Sequence, residues 1–179
     1  MRLGLPEVIG ARTGKSREER QMKLSTRLAR LLTTCLLLGI MVSANAEPLP
    51  PETKTELGMA RLATARYHNL QNALDDGYVN IDVYIPGMGF HYLNPALVDN
   101  VFDPAAPELL VYSPDQQLGK LRLVAVEYAV PLGGPAPEGF FGDQDQWSAE
   151  TDFGIWSLHA WVWLNNPHGM FTQLNPRVD

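Results

Sequence analysis

Cysteine is almost absent from this sequence of 179 residues. The chain has one, Cys35, and none follows it. Intramolecular disulfide bonds are therefore excluded, and the fold must be stabilised by packing. The compact motifs H-x-H, H-E-x-x-H and C-x-x-C are also missing. Any metal site must then combine residues that are distant in the sequence.

Basic residues are scarce once the N-terminal region is passed. After Ala46 the chain has six Lys and Arg residues against seventeen Asp and Glu residues, an excess of eleven negative charges. Such a surface repels the phosphates of nucleic acids and of anionic membranes. We therefore expect no nucleic-acid partner. Cations and basic partners fit this charge better, and the charge also favours solubility.

The N-terminal region has the pattern of a signal peptide. Lys23, Arg27 and Arg30 precede an apolar run, Leu31 to Val42, and Ala44-Asn45-Ala46 supplies a small-x-small cleavage site. The run has the length of a signal-peptide core and is short for a membrane span. The pattern predicts a secreted or periplasmic protein with no stable membrane anchor after cleavage.

Cleavage after Ala46 divides the chain into three parts. Residues 22–46 are the predicted signal peptide, and residues 1–21 are interpreted as an upstream extension, because Met22 begins the targeting unit. Residues 47–179 have a length typical of a single globular domain.

A long helix is predicted at the start of this domain. Apolar residues recur at steps of three and four from Leu57 to Leu74, which is the spacing of one helical face. Thr53 and Glu56 have the spacing of a capping box, and Gly77 suits the position after the last turn. The pattern predicts a helix from about Thr53 to Leu74.

The pattern after Gly77 is that of β-strands. Val79 to Ile85 alternates strictly, and several shorter or more apolar runs follow it. The predicted strands are residues 79–85, 90–93, 109–112, 121–130 and 155–164, with a last short one at 171–174. One helix followed by strands predicts an α+β fold, with an N-terminal helix packed on a curved antiparallel sheet or small barrel.

Three predicted strands each carry one ionisable residue among bulky apolar neighbours. Glu127 and His159 lie on the two long strands, and His91 lies between Phe90 and Tyr92. A strand that is apolar on both faces is central and buried, so a carboxylate there needs a partner. We therefore expect His91, Glu127 and His159 to meet on one face of the sheet.

Three interpretations of this set remain open at the level of sequence. The three residues can bind a divalent transition metal, with His168 as a fourth ligand. A Glu-His pair can also act as an acid and a base on a bound molecule without a metal. Finally, the residues can form a structural network that satisfies its own polar groups.

Five stretches resemble a family of small exported bacterial proteins that is uncharacterised. They are "ATARYHNLQNALDDGY", "GMGFHYLNPALVD", "PELLVY", "LRLVAVEYAVP" and "LHAWVWLNNPHGMF", and together they span most of the domain. The resemblance implies export and one compact domain. It implies no activity and no catalytic residues.

The sequence thus predicts an exported acidic protein that binds a divalent metal or a small ligand through His and Glu groups on adjacent strands. The alternative is a non-catalytic interaction module of the cell envelope. That module would form a homo-oligomer or bind a partner through its sheet and the loop around Trp147, the best candidate for an exposed aromatic contact. The sequence indicates no particular reaction.

Overall fold

The computed structural model describes residues 48–178, which belong to one compact unit. The predicted signal peptide and upstream extension lie outside the described residues. The helical elements are α1 (Pro51–Thr64), a 3₁₀ turn (Ala65–His68) and α2 (Leu70–Asp75). The strands are β1 (Val79–Ile85), β2 (Gly89–Leu93), β3 (Leu109–Asp115), β4 (Lys120–Pro131), β5 (Ser148–Glu150) and β6 (Ile155–Ala160).

The helical region is broken where the sequence predicts one continuous helix. Asn69 has an extended backbone, and its side-chain oxygen accepts a hydrogen bond from the Gln71 amide. Asparagine is among the best residues for this capping position, because its side chain replaces a missing helical partner. Asn69 therefore ends one helical segment and begins the next, a role that apolar periodicity does not reveal.

The predicted capping box is wrong. The helix begins earlier, with Pro51 in the first turn, where the missing proline N–H is not needed. Thr53 instead donates its hydroxyl to the carbonyl of Phe141, and Glu56 accepts a hydrogen bond from the Phe141 amide at 2.7 Å. The two side chains thus hold the loop after β4 against the helix.

The six strands form one sheet in the order β1-β2-β3-β4-β6-β5, with every neighbouring pair antiparallel. The sheet curls into a half-barrel, which confirms the predicted α+β class and the curved sheet. None of the helices between residues 48 and 178 is long and apolar enough to cross a bilayer.

One face of the sheet packs against the helices. Leu57 and Ala60 of α1 lie in the main core with Tyr112, Tyr128 and Leu158 of the sheet. Alternation along β4 places Tyr128 on this face and Glu127 on the other. The residues that share a face with Glu127 therefore point away from the helices.

The last predicted strands are shorter than expected. β6 ends at Ala160, because the Trp161 amide bonds to the Met170 carbonyl and the Leu164 amide to the Val124 carbonyl. Residues 171–174 have an irregular backbone instead of the predicted strand, and β5 is a short edge strand that the alternation does not predict. The chain after β6 therefore folds back over the sheet.

Candidate functional site

The sheet face that points away from the helices contains a cavity of about 390 Å³. Its lining residues come from all six strands, from the turns between them and from the segment after β6. The walls are mainly aliphatic, including Ile81, Val83, Ile85, Leu93, Leu109 and Leu174. This volume lies within the range of about 300–1,000 Å³ that is usual for small-molecule sites.

His91 and Glu127 lie side by side in this cavity. His91 Nε2 is 3.4 Å from Glu127 Oε2, and both residues are buried, at 3% and 7% exposure. The strand register explains this proximity. On β3, which lies between the two strands, Val111 is opposite His91 and Leu109 is opposite Glu127, and residues two apart on a strand share a face. The predicted proximity of these two residues is present in the structure.

An irregularity in β1 fixes the orientation of the His91 ring. The pairing of β1 with β2 shifts between Asn80 and Tyr84, and Asp82 has a positive φ of 56°. The carbonyl of Val83 consequently lies 3.2 Å from His91 Nδ1. Since a carbonyl oxygen only accepts hydrogen bonds, Nδ1 must carry a hydrogen.

At the 3.4 Å contact, one further proton can be carried by either His91 Nε2 or Glu127 Oε2. With the proton on nitrogen the two residues form an ion pair, and with the proton on oxygen they form a neutral pair. Burial raises the pKa of Glu127, while His91 and a hydrogen bond from Ser157 lower it and Glu150 raises it further. Both forms of the pair have zero net charge, which suits an apolar cavity.

His159 stands directly opposite Glu127 in the pairing of β4 with β6. Its side chain is 3% exposed, and no described residue bonds to either ring nitrogen. Burial and, to a smaller extent, the nearby His91 lower the pKa of His159 to about 3. The ring is therefore neutral at pH 7, and it packs against Trp161 with 4.6 Å between the ring centroids.

His168 is not brought to the cavity. It lies on an exposed turn after β6, where its amide bonds to the side chain of Asn166. Within residues 48–178 no group of three or more His, Cys, Asp or Glu residues is placed to hold a metal ion. Binding of a divalent metal by His91, Glu127, His159 and His168 stays a prediction.

The mouth of the cavity combines polar and exposed apolar side chains. Glu150 of β5 accepts a hydrogen bond from Gln173 at 3.4 Å, which joins the edge of the sheet to the C-terminal segment. Phe153 and Leu174 at the same mouth are 60% and 53% exposed. Sequence patterns did not mark these residues as part of a site: Glu150 lies on a short edge strand, Phe153 lies in a turn, and residues 171–174 were predicted only as a strand.

Trp147 does not form the exposed aromatic contact that the sequence suggested. It is partly buried and packs against the main core, with its ring centroid 6.0 Å from that of Phe102. The loop that carries it is held against α1 through Phe141, so the indole turns inward. The exposed aromatic residues of this region are Phe141 and Phe153.

Glu108 is a second buried carboxylate that sequence analysis missed. It is 2% exposed, and its Oε2 accepts a hydrogen bond from the Ala129 amide at 3.0 Å. Burial raises its pKa to about 7. Glu108 is not part of the cavity wall, and its carboxyl group accepts the hydrogen bond of a backbone amide of β4. It is therefore a suitable buried carboxylate for comparison with Glu127.

Comparison of the chain with protein-family models, curated proteins and solved structures finds no match in any of the three. The resemblance to a family of small exported bacterial proteins therefore stays a prediction. The functional argument rests on the cavity and the residues that line it.

Proposed function

We propose that the protein binds a small, mainly apolar molecule in the cavity on the sheet face that points away from the helices. The observation that carries this proposal is a single His91–Glu127 pair buried in a mainly apolar wall. Ligand sites typically combine a large apolar surface with a few polar groups that fix the orientation of the ligand. The pair supplies those groups, and the aliphatic wall supplies the contact area.

The expected ligand is neutral and has one hydrogen-bonding group, such as a hydroxyl or a carbonyl. An anionic ligand would meet the carboxyl group of Glu127 and, at the mouth, that of Glu150. The strong negative charge of the chain after Ala46 would also repel it. A neutral polar group can bond to the His91–Glu127 pair without adding a charge to an apolar cavity.

The test is binding of Nile red, a neutral apolar dye with a carbonyl group, followed by its fluorescence. Ala129 lies in the cavity wall, and Ala129→Phe should fill part of the space. We expect at least a tenfold weaker affinity, which corresponds to about 1.4 kcal/mol. Leu62→Phe is the matched control, because Leu62 is 83% exposed on α1 and its change adds the same ring outside the cavity.

Competition with the dye tests the expected chemistry of the ligand. 1-Decanol should displace Nile red more effectively than decanoate, which has a similar chain but a negative charge. A folded Ala129→Phe protein that binds the dye as tightly as the wild type would contradict the proposal. Circular dichroism and the thermal midpoint establish that the variant is folded.

A further inference from the structure

The His91–Glu127 pair has the parts required for proton transfer at a carbon atom of a bound ligand. Both side chains line the same cavity, so one ligand can contact both. In the ion-pair form, Glu127 offers a carboxylate that can accept a proton, and His91 Nε2 offers a proton that can be donated. The two atoms that face each other are 3.4 Å apart.

This separation matters because it is longer than an ordinary N–H···O hydrogen bond of about 2.7–3.2 Å. Glu127 therefore does not fully occupy the hydrogen of Nε2, and a carbonyl oxygen of a ligand can share it. The ring itself is held by the contact of Nδ1 with the Val83 carbonyl. Nε2 consequently lies beside the carboxylate, and both side chains line the cavity.

We propose that Glu127 and His91 are catalytic residues that enolise neutral apolar ketones or aldehydes bound in this cavity. The inference rests on the proposed ligand-binding function and adds a reaction to it. The substrate class has a carbonyl group for His91 to contact and a hydrogen on the adjacent carbon for Glu127 to remove. No metal, oxidant or second substrate is required.

In the forward step the C–H bond of the adjacent carbon breaks, and its proton goes to Glu127. The electron pair of that bond forms the C=C bond of the enol, and the carbonyl oxygen takes the proton from His91 Nε2. The ion pair thereby becomes a neutral Glu127 and a neutral His91. Reversal of these transfers regenerates the ketone, so the pair can exchange or relocate a proton without being consumed.

The apolar wall favours this step over one that creates a charged intermediate. The starting ion pair has zero net charge, and the products are all neutral, so no unpaired charge forms in the cavity. His159 beside Glu127 has no described hydrogen-bond partner, and the proposed transfer does not use it. Ser157 bonds to the Glu127 carboxylate and helps to hold its position.

The experiment measures exchange of the α-hydrogens of 2-octanone for deuterium in D₂O by NMR. Displacement of Nile red measures the binding of the same ketone separately. Wild-type protein should accelerate the exchange above the buffer rate. Glu127→Gln should bind 2-octanone within about threefold of the wild type but lower the exchange rate by about 10²-fold or more, the usual contribution of a general base.

Glu108→Gln is the matched control, since Glu108 is also a buried carboxylate but lies outside the cavity wall. It should keep the wild-type exchange rate, because a glutamine oxygen can still accept the bond from the Ala129 amide. His91→Gln, like Glu127→Gln, should lose the acceleration of hydrogen exchange.

The outcomes separate the two proposals. If the wild type binds 2-octanone but does not accelerate exchange, or if Glu127→Gln exchanges as fast as the wild type, the catalytic proposal is overturned and the binding proposal stands. If neither Nile red nor 2-octanone binds, both proposals are overturned.

Discussion

Glu127 and His159 show how differently two buried ionisable residues can be accommodated at neighbouring positions. Glu127 has His91 and Ser157 as partners and faces the cavity. His159 is paired with Glu127 across the strands, but no described group bonds to its ring nitrogens. A buried polar group without a partner costs free energy, so His159 is expected to contribute little to stability through hydrogen bonding.

His159→Leu should therefore leave the free energy of unfolding at pH 7 within about 1 kcal/mol of the wild type, since an apolar side chain of similar size replaces unpaired nitrogens. Its effect should change with pH. Because the folded pKa of His159 is about 3, the unfolded chain binds one more proton than the folded chain between the ordinary value of about 6.5 and about 3. Wild-type stability is then lost as the pH falls through that interval.

The expected difference between His159→Leu and the wild type grows by about 1.4 kcal/mol per pH unit below pH 6.5, in favour of the variant. Urea unfolding at several pH values measures it. The comparison of variant with wild type is needed because Glu108 changes the stability of both proteins in the opposite direction. Its folded pKa of about 7 makes its contribution to stability fall as the pH rises from about 4.5 to 7. A difference that does not change between pH 7 and pH 4.5 would contradict the prediction.

At the level of elements, the irregular β1 strand connects backbone strain to the site. Asp82 has a φ of 56°, and its amide bonds to the side chain of Asn80 at 2.9 Å. The left-handed conformation costs an ordinary residue about 1–2 kcal/mol and is especially unfavourable for β-branched residues. The same irregularity turns the Val83 carbonyl toward His91.

Asp82→Gly should consequently keep or raise the thermal midpoint and keep Nile red binding, because glycine adopts this φ without strain. Asp82→Val should lower the free energy of unfolding by at least about 1 kcal/mol and weaken binding, because β1 must then rearrange around His91. Asp82 is exposed, so lost side-chain packing does not explain such an effect. Equal stability and equal binding of the two variants would exclude a role for this backbone conformation.

The sequence was sufficient for the elements that have strong periodicity. The alternation of Val79 to Ile85 predicted β1 with its observed bounds, and the proximity of His91 and Glu127 followed from their places on apolar strands. The break at Asn69 was missed because helical periodicity continues through it. The cavity itself was not predictable, since it depends on the curl of the sheet and on the C-terminal segment that brings Leu174 over it.

Across the whole described domain, the two faces of one sheet have different surroundings. The helices cover one face and complete the core, while the cavity occupies the other. The proposed binding at the cavity can therefore be tested by substitutions that do not touch the helix contacts. The sequence could not distinguish these faces for the central strands, because β4 is buried on both sides.

The large negative charge of the domain predicts that salt affects its stability. Among residues 48–178 the contacts include one ion pair between an arginine and a carboxylate, Arg66–Asp76 at 3.1 Å, and both side chains are partly exposed. Such a pair stabilises a fold little. The remaining carboxylates mainly repel one another, so screening by salt should stabilise the folded state.

Raising NaCl from 10 to 150 mM shortens the screening length from about 30 to about 8 Å and should raise the thermal midpoint of residues 47–179. Each kcal/mol of relieved repulsion is expected to add about 2–8 °C for a domain of this size. Replacing the exposed residues Asp143 and Asp152 with lysine should reduce the increase, because less repulsion remains to be screened. Micromolar ZnCl₂ leaves the ionic strength unchanged, so a rise in the thermal midpoint with zinc would not come from screening. If that rise disappears in His91→Gln, it would instead indicate the predicted metal site. A midpoint that stays constant or falls with NaCl would show that repulsion between the carboxylates does not limit the stability of this fold.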